Sequence, residues 1–339
     1  MNQEDITRLR DWLLAEGLIE SSVSAASLQV RPLTGGQSNP TFLITAGERR
    51  CVLRKKPAGI LLKSAHAIDR EYRVIRALRD TPVPVPAALA WCDDDSIVGT
   101  PFYLMDFLDG RVFVDQGLPG LAPAERTALY REMNRVLAHL HQVDIDAVGL
   151  DTYGKREDYL TRQISRWSTQ LQASTVTVPD SARRLMDWLP EHLPAPQRAA
   201  LIHGDFRLDN LIFHPTEARV IGVLDWELST IGDPVSDFAF HCMSWHIPHT
   251  LWRGIQGLDL PALGIPDEAT YQSWYARERG PIDPTAWRFY LAFNLFRISA
   301  ILHGIAERAQ QGNANAKDAV ETGAKAGPLA ALGCAIAGV

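Results

Sequence analysis

Two carboxylates and a carboxamide pose the chemical question in this chain. Asp205 follows His203 and Gly204, Asn210 comes after it, and Asp225 closes the apolar run Val220–Leu224. Leu201 and Ile202 end an apolar stretch that Gly204 and Asp205 break. Leu211–Phe213 and Val220–Leu224 are short, partly β-branched runs separated by Pro215–Ala218, the pattern of a hairpin or of two neighbouring strands. That arrangement brings Asp205, Asn210 and Asp225 to one rim of a small sheet. Oxygen-rich clusters of this kind suit Mg²⁺, which shares them with substrate phosphates.

The ordered set resembles the catalytic loop and metal loop of the protein-kinase-like superfamily, in the form seen in aminoglycoside and choline phosphotransferases. Those families write His-Gly-Asp, four residues and Asn, then a strand ending in Asp. The wording Asp225-Trp226-Glu227, with Gly232-Asp233-Pro234 and Asp237, is most similar to one subgroup, related to the kinase-like domain fused to some acyl-CoA dehydrogenases. The resemblance implies a two-lobed α+β fold, with a small antiparallel-sheet N-lobe and a larger helical C-lobe. It implies that Asp205 orients an acceptor hydroxyl, that Asn210 and Asp225 hold Mg²⁺, and that Arg207 offsets γ-phosphate charge. Glu227 takes an indirect role near the metal, and Asp237 anchors the loop backbone.

These residues need elements to hold them. Glu4–Leu18 has the spacing of an amphipathic helix. Ser27–Leu33 and Pro40–Thr45 read as strands joined by a Gly-rich turn. In it Gly35, Gly36, Ser38 and Asn39 either present backbone N–H groups to phosphates or form a plain β-turn. On the strand Arg50–Lys56, alternation puts Val52 and Arg54 on one face and Leu53 and Lys55 on the other. By resemblance Arg54 stands where kinases keep a phosphate-holding lysine and Val52 lies against adenine, with Lys55 the competitor if a bulge shifts the register. Ser64–Leu78 reads as a helix with the stripe Ile68, Tyr72, Ile75 and Leu78, and Glu71 lies on that side. A carboxylate there either needs a cation, which Arg54 supplies, or lies at the edge of the stripe and reaches water.

Pro101–Gly110 reads as an edge strand running into a turn. By resemblance its Leu104–Phe107 segment is the hinge, where Met105 and Phe107 meet the nucleotide. A boundary near Asp109–Gly110 divides a nucleotide-binding lobe, 1–109, from a catalytic and substrate lobe, 110–339. Helical periodicity covers Pro123–His141, Arg156–Gln172, Ser181–Leu189, Val235–His246 and Thr285–Gln310. Tyr159, Arg162, Gln163 and Trp167 are candidates to line an acceptor site, and Arg156, Arg162 and Arg166 either meet an anionic carrier or face water. His139 and His141 read as structural, and Asn294, Arg297 and His303 either border the substrate cleft or pack the helix.

With 339 residues, 46% hydrophobic and 22% charged, the chain is long enough for two cores. A net charge of −6 without a basic run argues against nucleic acid as partner. Met1–Glu20 lacks the pattern of a leader, and Gly327–Val339 is too short to span a membrane and reads as a packed or frayed tail. Four dispersed cysteines suggest neither zinc nor a disulfide framework and fit a reducing cytoplasm. The expected activity is ATP- and Mg²⁺-dependent phosphorylation of a small-molecule hydroxyl, with hydroxyacyl-CoA or a related metabolite as the acceptor the subgroup suggests. The alternatives are an aminoglycoside- or choline-type kinase, a pseudokinase or nucleotide-binding module without turnover, and a metal-dependent phosphohydrolase. Oligomeric state is not readable from the chain.

Overall fold

The computed structural model describes residues 1–33, 39–57, 68–310 and 316–339. The chain groups into two units, Met1–Arg111 with Leu211–Leu228, and Val112–Asn210 with Ser229–Val339. The hairpin that begins at Leu211 therefore groups with the N-terminal stretch, across the single boundary expected near Asp109–Gly110.

The first unit is built on an antiparallel sheet of β1 (Gln29–Pro32), β2 (Thr41–Ala46), β3 (Arg49–Lys55), β4 (Ala88–Cys92) and β5 (Phe102–Asp106), in the order β1-β2-β3-β5-β4. Its helices are α1 (Gln3–Ala15), α2 (Ile68–Leu78) and the single turn α3 (Asp95–Val98). Register decides what each face carries. Phe42, Leu53 and Leu104 are paired across β2, β3 and β5, and with Ile44 and Cys51 they pack against Leu9 and Leu13 of α1. The alternate residues form the other face, where Leu43, Val52 and Met105 are paired, as are Thr41, Arg54 and Tyr103. Lys55 consequently lies on the α1 side, its Nζ donating to the Val98 carbonyl.

β5 is an interior strand, contrary to the edge position expected of Pro101–Gly110. β4 pairs outside it, and the Ala-rich segment Ala88–Cys92 gives little alternation by which to see a strand. The hairpin of β7 (Leu211–Phe213) and β8 (Val220–Val223) is tied to the rest of its unit by backbone bonds. Arg111 and Phe213 exchange N–H···O bonds of 2.8 Å, and Val223 N–H donates to the Pro84 carbonyl at 2.9 Å. Gly110 permits this approach, since a Cβ there would lie 2.3 Å from the Phe213 carbonyl oxygen.

The second unit is mainly helical. It contains α4 (Pro123–Leu140), α5 (Tyr159–Gln172), α6 (Asp180–Glu191), α7 (Pro234–Cys242), α8 (Leu260–Leu263), α9 (Glu268–Arg279), α10 (Pro284–Gln310), α11 (Ala316–Ala324) and α12 (Ala326–Ala337). One short antiparallel pair, β6 (Ala200–Ile202) with β9 (Thr230–Gly232), carries the His203-Gly204-Asp205 turn at its end. α10 is the core of this unit, flanked by α5, α6, α7, α11 and α12. It is the one described helix long and apolar enough to cross a membrane, yet 83% of its most apolar window is buried within the protein. The C-terminal stretch is thus a packed helix, α12, against α6 and α10. All four cysteines are buried free thiols.

Candidate active site

In the first unit the chemistry gathers on the sheet face that carries Arg54. Strand alternation turns Arg54 away from α1, and the α2 stripe turns Glu71 inward, where it is 1% exposed. Arg54 Nε lies 2.7 Å from Glu71 Oε2, and Arg54 Nη2 donates to Glu71 Oε1 at 3.2 Å. Tyr103, beside Arg54 in register, donates its hydroxyl to Glu71 Oε2 at 3.0 Å, and Asn39 Nδ2 donates to Oε1 at 2.9 Å. Burial alone would lower the Arg54 pKa, and the Glu71 and Asp225 charges more than reverse this, so the guanidinium stays charged. Burial dominates at the Glu71 carboxyl and leaves its pKa above the ordinary value, although Arg54 and the Tyr103 hydrogen bond pull it back down. With donors on both of its oxygens, the carboxylate is held as the anion of an ion pair.

Arg54 Nη2 also reaches Asp225 Oδ1 at 2.8 Å, so one guanidinium joins α2 to the residue that follows the hairpin. Asp225 adopts φ +64°, a left-handed conformation that its short polar side chain tolerates and that recurs at functional sites. Glu227 follows in a 3₁₀ turn, Trp226–Leu228. Glu71, Asp225 and Glu227 each offer an oxygen, all within 4.8 Å of one another. This all-oxygen donor set suits a hard cation such as Mg²⁺. Asp225 is 28% exposed and uses only Oδ1 among the described residues, which leaves Oδ2 for such an ion.

Val52 and Met105 pair across β3 and β5 on the same face as Arg54 and are nearly buried. Phe107, just past β5, lies under the Arg50 guanidinium, 4.5 Å from its carbon to the ring centroid. Gly35, Gly36 and Ser38 lie outside the described residues. Asn39 is described and buried, and its Oδ1 has no partner among the described residues. Lys55 faces away from Glu71, so the ion pair belongs to Arg54.

In the second unit the loop after β6 is held from below. Asp237 on α7 accepts the backbone N–H of His203 and of Gly204, each at 2.8 Å, and His141 Nε2 lies 3.1 Å from the same carboxylate. Gly204 has φ +80°, which a side chain would resist. Burial would raise the Asp237 pKa, but His141 and the two amides win and leave it below the usual range. Arg297 of α10 closes the turn by donating Nη2 to the Gly204 carbonyl at 2.6 Å.

Asp205 emerges from this turn with its side chain 17% exposed. Arg207 Nε donates to Asp205 Oδ2 at 2.9 Å, and Asn210 Nδ2 to the same oxygen at 3.1 Å. Asn210 Nδ2 also donates to the Asp205 backbone carbonyl at 2.9 Å. Asp209 draws the remaining Arg207 charge at 3.2 Å and meets Arg253 Nη1. Asp205, Arg207 and Asn210 therefore form one bonded set within their unit, as Arg54, Glu71, Asn39 and Asp225 do within theirs. Tyr103, Arg253 and the contacts made by His141 and Arg297 escaped the sequence reading, although His141 reads there as structural. Only the apolar surroundings of His141 and Arg297 on their helices hinted at buried, bonded side chains.

The phosphotransferase enzyme family model matches residues 29–290. The chain is 47% identical over 304 residues to acyl-CoA dehydrogenase family member 10 of Mus musculus, covering 88% of this chain and 28% of that protein. It spans 28–40% of the length of the curated relatives first matched. A crystal structure of a candidate aminoglycoside phosphotransferase from Ralstonia eutropha superposes with a TM-score of 0.88 at 47% identity, covering 98% of this chain and 97% of that one. An aminoglycoside phosphotransferase solved with ADP and hygromycin B superposes with a TM-score of 0.62 at 17% identity, over 95% of this chain and 97% of that one, a likeness of fold alone. With its antiparallel N-terminal sheet, its helical second unit and a family match across most of its length, the chain belongs to the phosphotransferase enzyme family.

Proposed function

We propose that this protein transfers the γ-phosphoryl group of ATP, with Mg²⁺, to a hydroxyl of a small molecule. The observation that carries the proposal is Arg54, a buried guanidinium held by Glu71 and bonded to Asp225. Residues 1–109 bind the nucleotide, and 110–339 supply the catalytic groups and the acceptor site. Mg²⁺ bound with ATP supplies neutralisation of developing phosphate charge. Asp225 and Asn210 hold the ion, and Arg54 neutralises phosphate as a planar fork. Val52 and Met105 offer an apolar surface to the base, with Phe107 beyond them. Asp205 accepts the hydrogen bond of the acceptor hydroxyl and aligns it for attack, while Arg207 restrains that carboxylate and offsets charge.

The chemistry asks mainly for positioning, which the anchored loop of Asp205 provides. Similarity to acyl-CoA dehydrogenase family members supports a hydroxylated acyl-CoA or related metabolite as acceptor. Buried free thiols fit a reducing cytoplasm. The arginine at position 54 is the feature that favours a nucleotide-binding protein without turnover, and the complete set Asp205, Asn210 and Asp225 weighs against it.

Thermal unfolding with ATP, with and without Mg²⁺, on wild type and Asp225→Asn tests the reading without knowledge of the acceptor. A ligand at about 100 times its dissociation constant adds roughly 2.7 kcal/mol. The expected result is a Mg²⁺-dependent rise in Tm that Asp225→Asn loses. No rise at millimolar Mg·ATP overturns the proposal.

A further inference from the structure

Among the described residues Arg297 is a charge without a paired carboxylate. It is 4% exposed and donates Nη2 to the Gly204 carbonyl, with its guanidinium 5.1 Å from the Phe240 ring centroid. Its Nε is buried and has no partner among the described residues. The neighbouring carboxylates are committed elsewhere. Asp237 holds His203, Gly204 and His141, and Asp233 caps α7 and accepts the Tyr290 hydroxyl. An unpaired buried cation is costly.

α5 brings two more cations to the same place. Gln170 bonds the Ala300 carbonyl, Ser174 meets His303, and Thr175 meets Glu307, so α5 and α10 run parallel and in register. One turn towards the N-terminus of each helix, Arg166 comes alongside Arg297, and Arg162 stands one turn further along the same face of α5. Arg166 is exposed, and both burial of its stem and the Arg297 charge press its pKa down. Neither Arg162 nor Arg166 has a carboxylate partner among the described residues; Arg162 donates only to the Lys155 carbonyl. Like charges at i and i+4 with nothing between them oppose the helix unless an anion binds.

Resting on the phosphotransferase reading, we infer that Arg297, Arg166 and Arg162 form an oxyanion site for a carboxylate or phosphate carried by the acceptor. Because Arg297 bonds the residue next to Asp205, the acceptor's anionic group lies close to the hydroxyl that Asp205 orients. This distinguishes the protein from a kinase for cationic acceptors, whose substrates these arginines would repel.

The test uses nucleotide-free full-length protein and two probes, sodium acetate and inorganic phosphate, each against chloride at equal ionic strength. Tm and calorimetric titration are read on wild type, Arg166→Gln, Arg297→Lys and Asp225→Asn. The expected result is stabilisation by at least one oxyanion, weakened about tenfold in Arg166→Gln and retained in Asp225→Asn. Acetate as the better probe points to a carboxylate-bearing acceptor, and phosphate to a phosphorylated carrier. Equal binding in wild type and Arg166→Gln, or no effect beyond chloride, overturns the inference. Arg166 is exposed, so that variant decides the matter even if Arg297→Lys does not fold. Nucleotide is absent throughout, so this inference and the Mg·ATP proposal fail separately.

Discussion

Glu71 is the buried anion on which Arg54, Tyr103 and Asn39 converge. Two independent periodicities, the alternation of β3 and the stripe of α2, pointed Arg54 and Glu71 at each other, and the structure holds them 2.7 Å apart. The Asn39 and Tyr103 contacts to Glu71 could not be added from sequence, because Tyr103 reaches it through the pairing of β5 with β3 and Asn39 lies ahead of β2, where no periodicity aims its side chain. Glu227 was legible only as a neighbour of Asp225, since a 3₁₀ turn has no periodicity by which to aim a side chain. The arrangement predicts a large cost for Glu71→Ala. Arg54 would remain buried with only Asp225 against it, a loss of about 3–5 kcal/mol. Chemical denaturation measures this directly, and a loss below about 1 kcal/mol, the range of an exposed ion pair, would mean that the pair is not buried in solution.

At the scale of elements, α7 anchors several buried polar contacts of the second unit. Its Asp233 caps the helix, its Asp237 holds the catalytic loop, and its His241 meets the Tyr271 hydroxyl at 2.8 Å. The helix itself was readable, as was the anchoring role of Asp237. β9 was not, because Thr230–Gly232 is too short to show alternation, and its pairing with β6 is a long-range fact. Burial lowers the His241 pKa to about 4, and that of His141 also falls. The folded protein therefore refuses protons that the unfolded chain accepts. Stability fully present above pH 6.5 is lost as pH falls towards 4, by about 3 kcal/mol for a shift of this size. Asp237, whose pKa is depressed, adds a loss of the same sign at still lower pH. Unfolding free energies measured between pH 7 and 4.5 should decline, and less steeply in His241→Gln. An unchanged slope in that variant would show that His241 is not the group responsible.

For the whole molecule, the informative feature is that the first unit is assembled from two separated stretches of chain. The fold class was legible from the motif order, whereas this grouping was not: no composition shift marks Leu211 or Leu228. Arg54–Asp225, Arg111–Phe213 and Pro84–Val223 all join the hairpin to residues before position 112. Residues 1–111 expressed alone should accordingly lack a cooperative unfolding transition and show weak amide protection. Joining Leu211–Leu228 to that fragment through a flexible linker should restore both. A fragment 1–111 that unfolds cooperatively by itself would show the hairpin to be dispensable.

The same division has a consequence during synthesis. The ribosome delivers residues 112–210 before it delivers the segment that completes the first unit, so the N-terminal sheet must wait for about a hundred residues of unrelated chain. Until Leu228 has cleared the exit tunnel, Arg54 and Glu71 lack Asp225, and the backbone partners of Arg111 and Pro84 are missing. Nascent chains arrested between those points offer chaperones a half-finished surface that the released protein no longer shows.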